Sequence, residues 1–150
     1  MLDARKFNQL SLDELYTILK LRQDVFICEQ ECIFEDIDLK DQSALHLLKK
    51  EGNSLQAYAR LIFEEDNQIT IGRIVIPLNA RGSGAGKAFV KEILSYLKIT
   101  YPHSKIRIDA QSRLQGFYEK LGFVMVGPEF FFEDDPIPHV PMDFNPSSFA

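Results

Sequence analysis

No stretch of this chain holds eighteen apolar residues in a row, so nothing in it reads as a helical membrane span. The opening residues Met1-Leu2-Asp3-Ala4-Arg5-Lys6-Phe7 lack the apolar run of a signal peptide, and a cytoplasmic protein is expected. Cysteine is scarce. Cys28 and Cys32 could face one way on a helix, but no second pair of ligands accompanies them, so buried or idle thiols are expected and no metal. An excess of basic residues is missing too: 17 Lys and Arg face 22 Asp and Glu, a formal net charge of -5. That balance argues against non-specific binding to nucleic acid or an anionic membrane, while local basic sites stay open. Neither low-complexity segments nor long-period repeats occur, and no linker divides the chain. At 150 residues it is most simply one domain, residues 1–150, able to bury about two thirds of the surface that its unfolded form exposes.

What is present centres on Gln68 to Leu97. Gln68-Ile69-Thr70-Ile71-Gly72-Arg73-Ile74-Val75-Ile76 is rich in β-branched residues and bounded by Asn67 and Pro77, which reads as a strand. Its apolar alternation changes phase at Gly72-Arg73: Ile69 and Ile71 share one parity, Ile74 and Ile76 the other. One extra residue in a strand, a β-bulge, produces that change. A continuously buried strand fits the same residues. After the strand come Arg81-Gly82-Ser83-Gly84-Ala85-Gly86-Lys87-Ala88, then Phe89, Val90, Ile93, Leu94 and Leu97 at helical spacing. Glycines alternating just before a helix let the backbone turn tightly and present bare N–H groups. With the helix N-terminus, Arg81 and Lys87 adding positive charge, a phosphate or pyrophosphate is the expected guest; a plain flexible turn is the alternative. A nucleotide P-loop fails here, since Ala88 stands where Ser or Thr is needed, and both frames of the dinucleotide fingerprint lack their third glycine.

Around this centre the elements are legible in outline. Ser11-Leu12-Asp13-Glu14 is a capping box, and the apolar spacing of Leu12, Leu15, Tyr16, Leu19, Val25 and Phe26 predicts a helix to about Phe26 or Ile27. Glu29 to Asp41 is strongly acidic and reads as a loop or broken helix, either a solvated surface or a wall that attracts a cation. Ala44 to Leu48 and Leu55 to Phe63 read as two strands around Glu51-Gly52-Asn53, and His46 as a structural hydrogen-bonding residue. Lys105 to Ala110 alternates as a strand parallel to the central one, joined by a right-handed crossover. A short helix over Gln111 to Gly122 and a strand over Phe123 to Val126 follow. The proline-interrupted tail predicts a last strand near His139 to Met142 that is irregular or at an edge.

Arg81-Gly82-Ser83-Gly84-Ala85-Gly86 and Phe117-Tyr118-Glu119-Lys120-Leu121-Gly122-Phe123, in this order with a strand between, resemble the GNAT acetyltransferase superfamily. Leu21-Arg22-Gln23-Asp24-Val25-Phe26, Glu35-Asp36-Ile37-Asp38, Ala57-Tyr58-Ala59-Arg60-Leu61, Ile71-Gly72-Arg73-Ile74 and Ile137-Pro138-His139-Val140-Pro141-Met142 are similar, more narrowly, to its ElaA branch. The resemblance implies an α/β (α+β) fold: a mixed, mostly antiparallel sheet opened into a V at a bulged central strand and flanked by helices. It implies acetyl-CoA as co-substrate and no metal. The pantetheine arm would lie in the gap along Ile74, Val75 and Ile76, and Arg81, Gly82, Ser83, Gly84, Ala85, Gly86 and Lys87 would hold the pyrophosphate. Gln111, Leu114 and Phe117 would complete the cofactor side. Gln111 stands where many members carry an asparagine; it keeps the amide and lengthens the reach.

The implied reaction is transfer of an acetyl group to a primary amine by direct attack on the thioester, with a non-catalytic acyl-CoA-binding regulator of the same fold as the alternative. An adaptor with acidic docking surfaces is a third reading. An alkyl ammonium has a pKa near 10.4, so only about one part in several thousand is ready to attack at neutral pH, and a base is required. Glu29, Asp36, Glu64 and His139 are candidates, as is a water relay; His139 has the most suitable ordinary pKa. The backbone N–H of Ile76 could stabilise an oxyanion, worth roughly 3 kcal/mol. Tyr118 matches a tyrosine that sits near the sulfur in many members and is the expected general acid. The expected partner is a small-molecule or peptide amine, cationic if Glu29 and Asp36 line its site; nucleic acid and membrane are not expected, and a homodimer is left open.

Overall fold

The computed structural model describes residues 2–145, so Met1, part of the opening stretch above, lies outside the described residues. The chain runs β1 (Leu2–Lys6), α1 (Leu12–Arg22), β2 (Leu45–Glu51), β3 (Ser54–Phe63), β4 (Gln68–Val75), α2 (Ala85–Thr100), β5 (Lys105–Gln111), α3 (Gln115–Glu119), β6 (Phe123–Met125), β7 (Phe130–Phe131) and β8 (Pro138–Phe144). The strands form one sheet in the order β1-β2-β3-β4-β5-β8-β6, with β7 paired to β8. All its pairings are antiparallel except β4 with β5, which α2 joins by a crossover.

The phase change read in β4 is a bulge. Tyr58 pairs with Val75 but Arg60 with Gly72, so Arg73 and Ile74 together face Ala59. The left-handed residue there is Arg73, at φ 50, rather than its glycine neighbour. The extra residue returns Ile74 and Ile76 to the face of Ile69 and Ile71, where they pack with α2, and turns Val75 to the opposite face against Ile18, Val25, Leu48 and Tyr58. On the first face α2 buries Phe89, Val90, Ile93, Leu94 and Leu97, a stripe in which each side chain contributes about 1.5–3 kcal/mol.

The bulge coincides with a split in the sheet. β4 and β5 pair from Gln68↔Lys105 to Ile71↔Ile108 and then part. β3 stays with β4 to Val75, while β8 stays with β5 to Gln111. Two arms of sheet therefore diverge into a V.

Three expectations need correction. In α1 the capping box forms, with Ser11 Oγ accepting from Glu14 N at 3.0 Å and Glu14 accepting from Ser11 N at 2.9 Å. The buried seam, however, is Ile18, Arg22 and Val25, while Leu12 and Tyr16 are exposed. The reason is a buried charge network that draws Arg22 inward, an arginine that no apolar pattern marks. Beyond Arg22 the helix widens into a π-helix over Gln23–Glu29, closed by bonds such as Cys32 N to Ile27 O. Second, β8 is no edge strand: it lies between β5 and β6, with Pro138 at its first position and Pro141 opposite Asp109. The Pro141 carbonyl accepts from Val126 N at 2.9 Å, so proline's missing donor does not prevent an interior place. Third, Leu2–Lys6, unassigned from sequence, is an edge strand paired to β2. The two cysteines do not share a face, Cys28 being exposed and Cys32 buried.

Candidate active site

A cavity of about 570 Å³ fills the V. Its walls include Gly72, Arg73, Ile74, Val75 and Ile76 from β4 and its continuation, and Ile108 to Gln111 from β5. The π-helical turn adds Phe26, Glu29 and Gln30, while Tyr118, Leu114 and His139 close the far side. Of the residues predicted for the site, the fold thus brings Ile74, Val75, Ile76, Arg81, Gln111, Leu114, Tyr118, His139, Glu29 and Glu64 to one space, and leaves Asp36 outside it.

Gly82, Ser83, Gly84, Ala85, Gly86 and Lys87 stand apart from the cavity wall, on the exposed turn into α2. Gly82, Ser83 and Gly84 have φ of 102, 54 and 76, so the backbone coils left-handed into the N-terminus of a 16-residue helix. A side chain built on Gly82 or Gly84 would meet no atom within 4 Å, which leaves the face of the loop open to a ligand. A Cβ built on Gly86 would lie at ordinary contact distance, 3.7 Å, from the side chains of Ile76 and Phe117, so α2 seats near both. Successive backbone N–H groups in such a concave turn, ahead of a helix dipole, suit an anion. The residues fit a pyrophosphate.

Arg81 has a different arrangement from the one its sequence position suggests. Its Nε donates to Ile76 O at 2.9 Å, and its two Nη groups donate to the Glu29 carboxylate at 2.9 Å each. This bidentate pair ties the glycine loop to the π-helical turn across the mouth of the cavity, and it lowers the Glu29 pKa through the hydrogen bond from Arg81.

The acidic segment divides: Glu29, Glu31 and Glu35 are exposed, and Glu29, Glu35 and Asp38 line the cavity, whereas the others turn inward. Asp36 and Asp41 are 5% exposed. Arg22, fully buried, reaches Asp41 at 2.8 Å and Asp36 at 3.1 Å; Arg60 reaches Asp41 at 2.9 Å and Asp38 at 2.5 Å. Arg73 reaches Asp36 at 2.8 Å, Asp38 at 3.4 Å, and lies 5.4 Å over the Phe34 ring. Three guanidiniums and three carboxylates therefore neutralise one another beneath the bulge. Asp36, expected to bind substrate, has its charge balanced by Arg22 and Arg73. Burial opposes the charge on Arg60, yet Asp38 and Asp41 outweigh it and its pKa is raised. The network also holds Arg73 in its left-handed conformation, which costs an L-residue about 1–2 kcal/mol. His46 joins it structurally, its ring between the Tyr58 hydroxyl at 2.7 Å and Asp41 O at 2.9 Å.

On the other arm, Tyr118 is 6% exposed and packed edge-on between Phe117 and Phe123, at 5.0 and 5.7 Å. Burial pushes its pKa up to about 12, so it holds its proton throughout the physiological range. Among the described residues, no group hydrogen-bonds to its hydroxyl. His139, 8% exposed, lies 2.8 Å from Ile137 O through Nδ1 and packs on Phe132 at 4.9 Å. A carbonyl only accepts, so Nδ1 carries the hydrogen and Nε2 of the neutral ring keeps its lone pair. Gln111 donates to Gln30 at 3.2 Å, and its side-chain oxygen is buried without a partner.

Several functional features escape sequence reasoning. The Arg22, Arg60 and Asp41 network joins positions 19 apart, and Asp109 enters the cavity wall only because β5 faces the opened gap. For Asp109 the one local signal is its place in the alternation of β5, where Arg107, Asp109 and Gln111 interleave with the buried Ile106, Ile108 and Ala110.

A split parallel pair, a bulge on one arm and a glycine turn capping the crossover helix define an acyl-CoA-dependent transferase fold of the GNAT type. A family model for the acetyltransferase (GNAT) domain matches residues 14–145, and the chain belongs to that family. It is 34% identical over 139 residues to protein ElaA of Escherichia coli, covering 90% of each chain. The crystal structure of Escherichia coli ElaA superposes with a TM-score of 0.86 at 31% identity, covering 97% of this chain and 99% of that one. An acyl-CoA N-acyltransferase from Pseudomonas aeruginosa gives the same TM-score of 0.86, also at 31% identity and with the same coverage.

Proposed function

We propose that this protein transfers an acetyl group from acetyl-CoA to a primary amine. The observation that carries the reading is the cavity of about 570 Å³ where β4 and β5 part, with Arg81 in its lining directly ahead of an open glycine loop at the N-terminus of α2. When bound, acetyl-CoA supplies an activated thioester whose leaving sulfur needs a proton. Gly82, Ser83, Gly84, Ala85, Gly86 and Lys87 hold its pyrophosphate, and the edge of Ile74, Val75 and Ile76 that β5 leaves after Ile71 receives its arm. Leu114, Phe117 and the unpartnered Gln111 oxygen line the same path. Tyr118, kept protonated by burial, is the proton donor. His139 presents the Nε2 lone pair on the acceptor side, where it orients the amine. Arg81 and Glu29 act as a clamp at the mouth.

Calorimetric titration with acetyl-CoA, with ATP and NAD as controls and Gly84→Glu as the blocked variant, tests this. Binding of acetyl-CoA alone, abolished in the variant, is the expected result. Equal binding of ATP would sink the assignment of the loop.

A further inference from the structure

We propose that Asp109 is the base of this site, the carboxylate that takes a proton from the ammonium group of an aliphatic amine acceptor. The inference rests on the transferase reading above and supplies the proton acceptor that it leaves open.

Register places Asp109 opposite Pro141 and His139 opposite Gln111. Asp109, Gln111, His139 and Pro141 therefore share the sheet face turned away from α2, while Ile108, Ala110, Val140 and Met142 form the core on the other. Asp109 and His139 are diagonal cross-strand neighbours, a relation that sets side chains roughly 7–8 Å apart at their roots. Both line the cavity in the V. An amine entering between them meets a carboxylate on one side and the His139 Nε2 lone pair on the other.

The Asp109 carboxylate is half-buried, yet among the described residues neither a hydrogen bond nor an ion pair reaches it. Its nearest cation on the strand, Arg107, is held by Asp143 at 2.5 Å. The charged and titratable groups around it are Arg107 on β5, His139 and Asp143 on β8, and Glu64 after β3. Burial is the largest influence and raises its pKa; Arg107 and His139 oppose it, Glu64 and Asp143 add to it, and the net direction is upward. A carboxylate left without a partner beside a cavity is costly to the fold, unlike the fully paired Asp36, Asp38 and Asp41 nearby. Such groups concentrate where chemistry requires them.

The step is complete in itself. The ammonium and the Asp109 carboxylate become a neutral amine and a carboxylic acid; the nitrogen keeps its electron pair for attack, and Asp109 later returns the proton to water. A raised carboxyl pKa narrows the gap to the ammonium and makes Asp109 a better acceptor than an ordinary aspartate.

The test uses the intact protein, acetyl-CoA and 1,4-diaminobutane, with Asp109→Asn and Asp109→Glu. In Asp109→Asn, kcat/KM should fall about 10²- to 10⁴-fold and lose its acidic limb, while acetyl-CoA affinity is kept. Asp109→Glu should restore part of the rate. Thermal stability separates this role from a structural one: removing an unpaired carboxylate should leave Tm unchanged or raised, with the gain growing as pH rises through the carboxyl titration. Carbon-13 NMR of the Asp109 carboxyl supplies a readout without turnover. Its midpoint should lie above the ordinary range and fall when 1,4-diaminobutane is added. Wild-type protein that binds no acetyl-CoA removes the transferase reading and this inference with it. Wild type that binds acetyl-CoA but leaves the diamine unacylated, or an Asp109→Asn variant with an unchanged pH profile, overturns the inference alone.

Discussion

The two arms of the V carry charge in opposite ways. Under the β3–β4 arm, Arg22, Arg60 and Arg73 are matched one for one by Asp36, Asp38 and Asp41. On the β5–β8 arm, Arg107 is matched by Asp143 but Asp109 is left open to the cavity, which His139 and Tyr118 also line. Matched charges fix geometry: they hold the bulge at Arg73. Unmatched and desolvated groups store reactivity. The same residue type, aspartate, is scaffold on one side and chemistry on the other, and burial with partners, not residue identity, draws the line.

Breaking the matched arm should produce the largest effect. Arg22→Met leaves Asp36 and Asp41 buried without their central cation and should lower unfolding free energy by about 3–5 kcal/mol in urea titration. A loss under 1 kcal/mol would mean that the network is not scaffold. The pH dependence sharpens the same point. Burial alone would raise the Asp38 pKa, but Arg60 outweighs it and the folded value is lowered to about 2, from 3.8. A lowered folded pKa stabilises above the unfolded value and loses that contribution as pH falls through the folded one. The urea midpoint should therefore decline as pH drops from 3.8 toward about 2, less steeply in Asp38→Asn.

On the reactive arm the expectation inverts, with activity sensitive and stability not. Tyr118→Phe should lower kcat about 100-fold, roughly 2.7 kcal/mol, and leave acetyl-CoA affinity and Tm near wild type. An equal loss of stability would recast Tyr118 as a packing residue.

The glycine loop lies between these extremes. Gly84→Ala meets no steric obstacle but must hold φ 76, which should cost about 1–2 kcal/mol of stability and weaken acetyl-CoA binding, both measurable by calorimetry. The smallest change is expected at the clamp. Glu29→Gln removes one partner of an exposed ion pair and should cost under about 1 kcal/mol, diminishing with salt. A salt-independent loss would show a tighter role for the clamp than exposure allows.

What was readable beforehand was local. The capping box, the apolar stripe of α2, the alternation of β4 with its phase change, and the glycine turn each depend on residues within a few positions of one another. Periodicity and backbone preference therefore expose them without any knowledge of the fold. Arg22 shows the limit: its spacing places it beside an apolar stripe, and only the arrival of Asp36 and Asp41 from 14 and 19 residues away makes a fully buried guanidinium tolerable. Leu12 and Tyr16 lie on the solvent side of the same helix. β8 was misjudged because two prolines suggest an edge, while the pairing of β5 and β6 to either side is a long-range matter. Glu29 and Asp36 fall in one acidic run, yet one meets an arginine at the cavity mouth and the other meets two beneath the bulge.

By itself the sequence determined the family, the elements and the phosphate-binding turn, because short-range spacing encodes helix faces, strand phase and glycine conformation. The division of the charges was decided only by tertiary structure. Whether an aspartate is neutralised or left facing a cavity depends on which strands diverge beyond Ile71 and Ile108, and that divergence is a property of the assembled sheet.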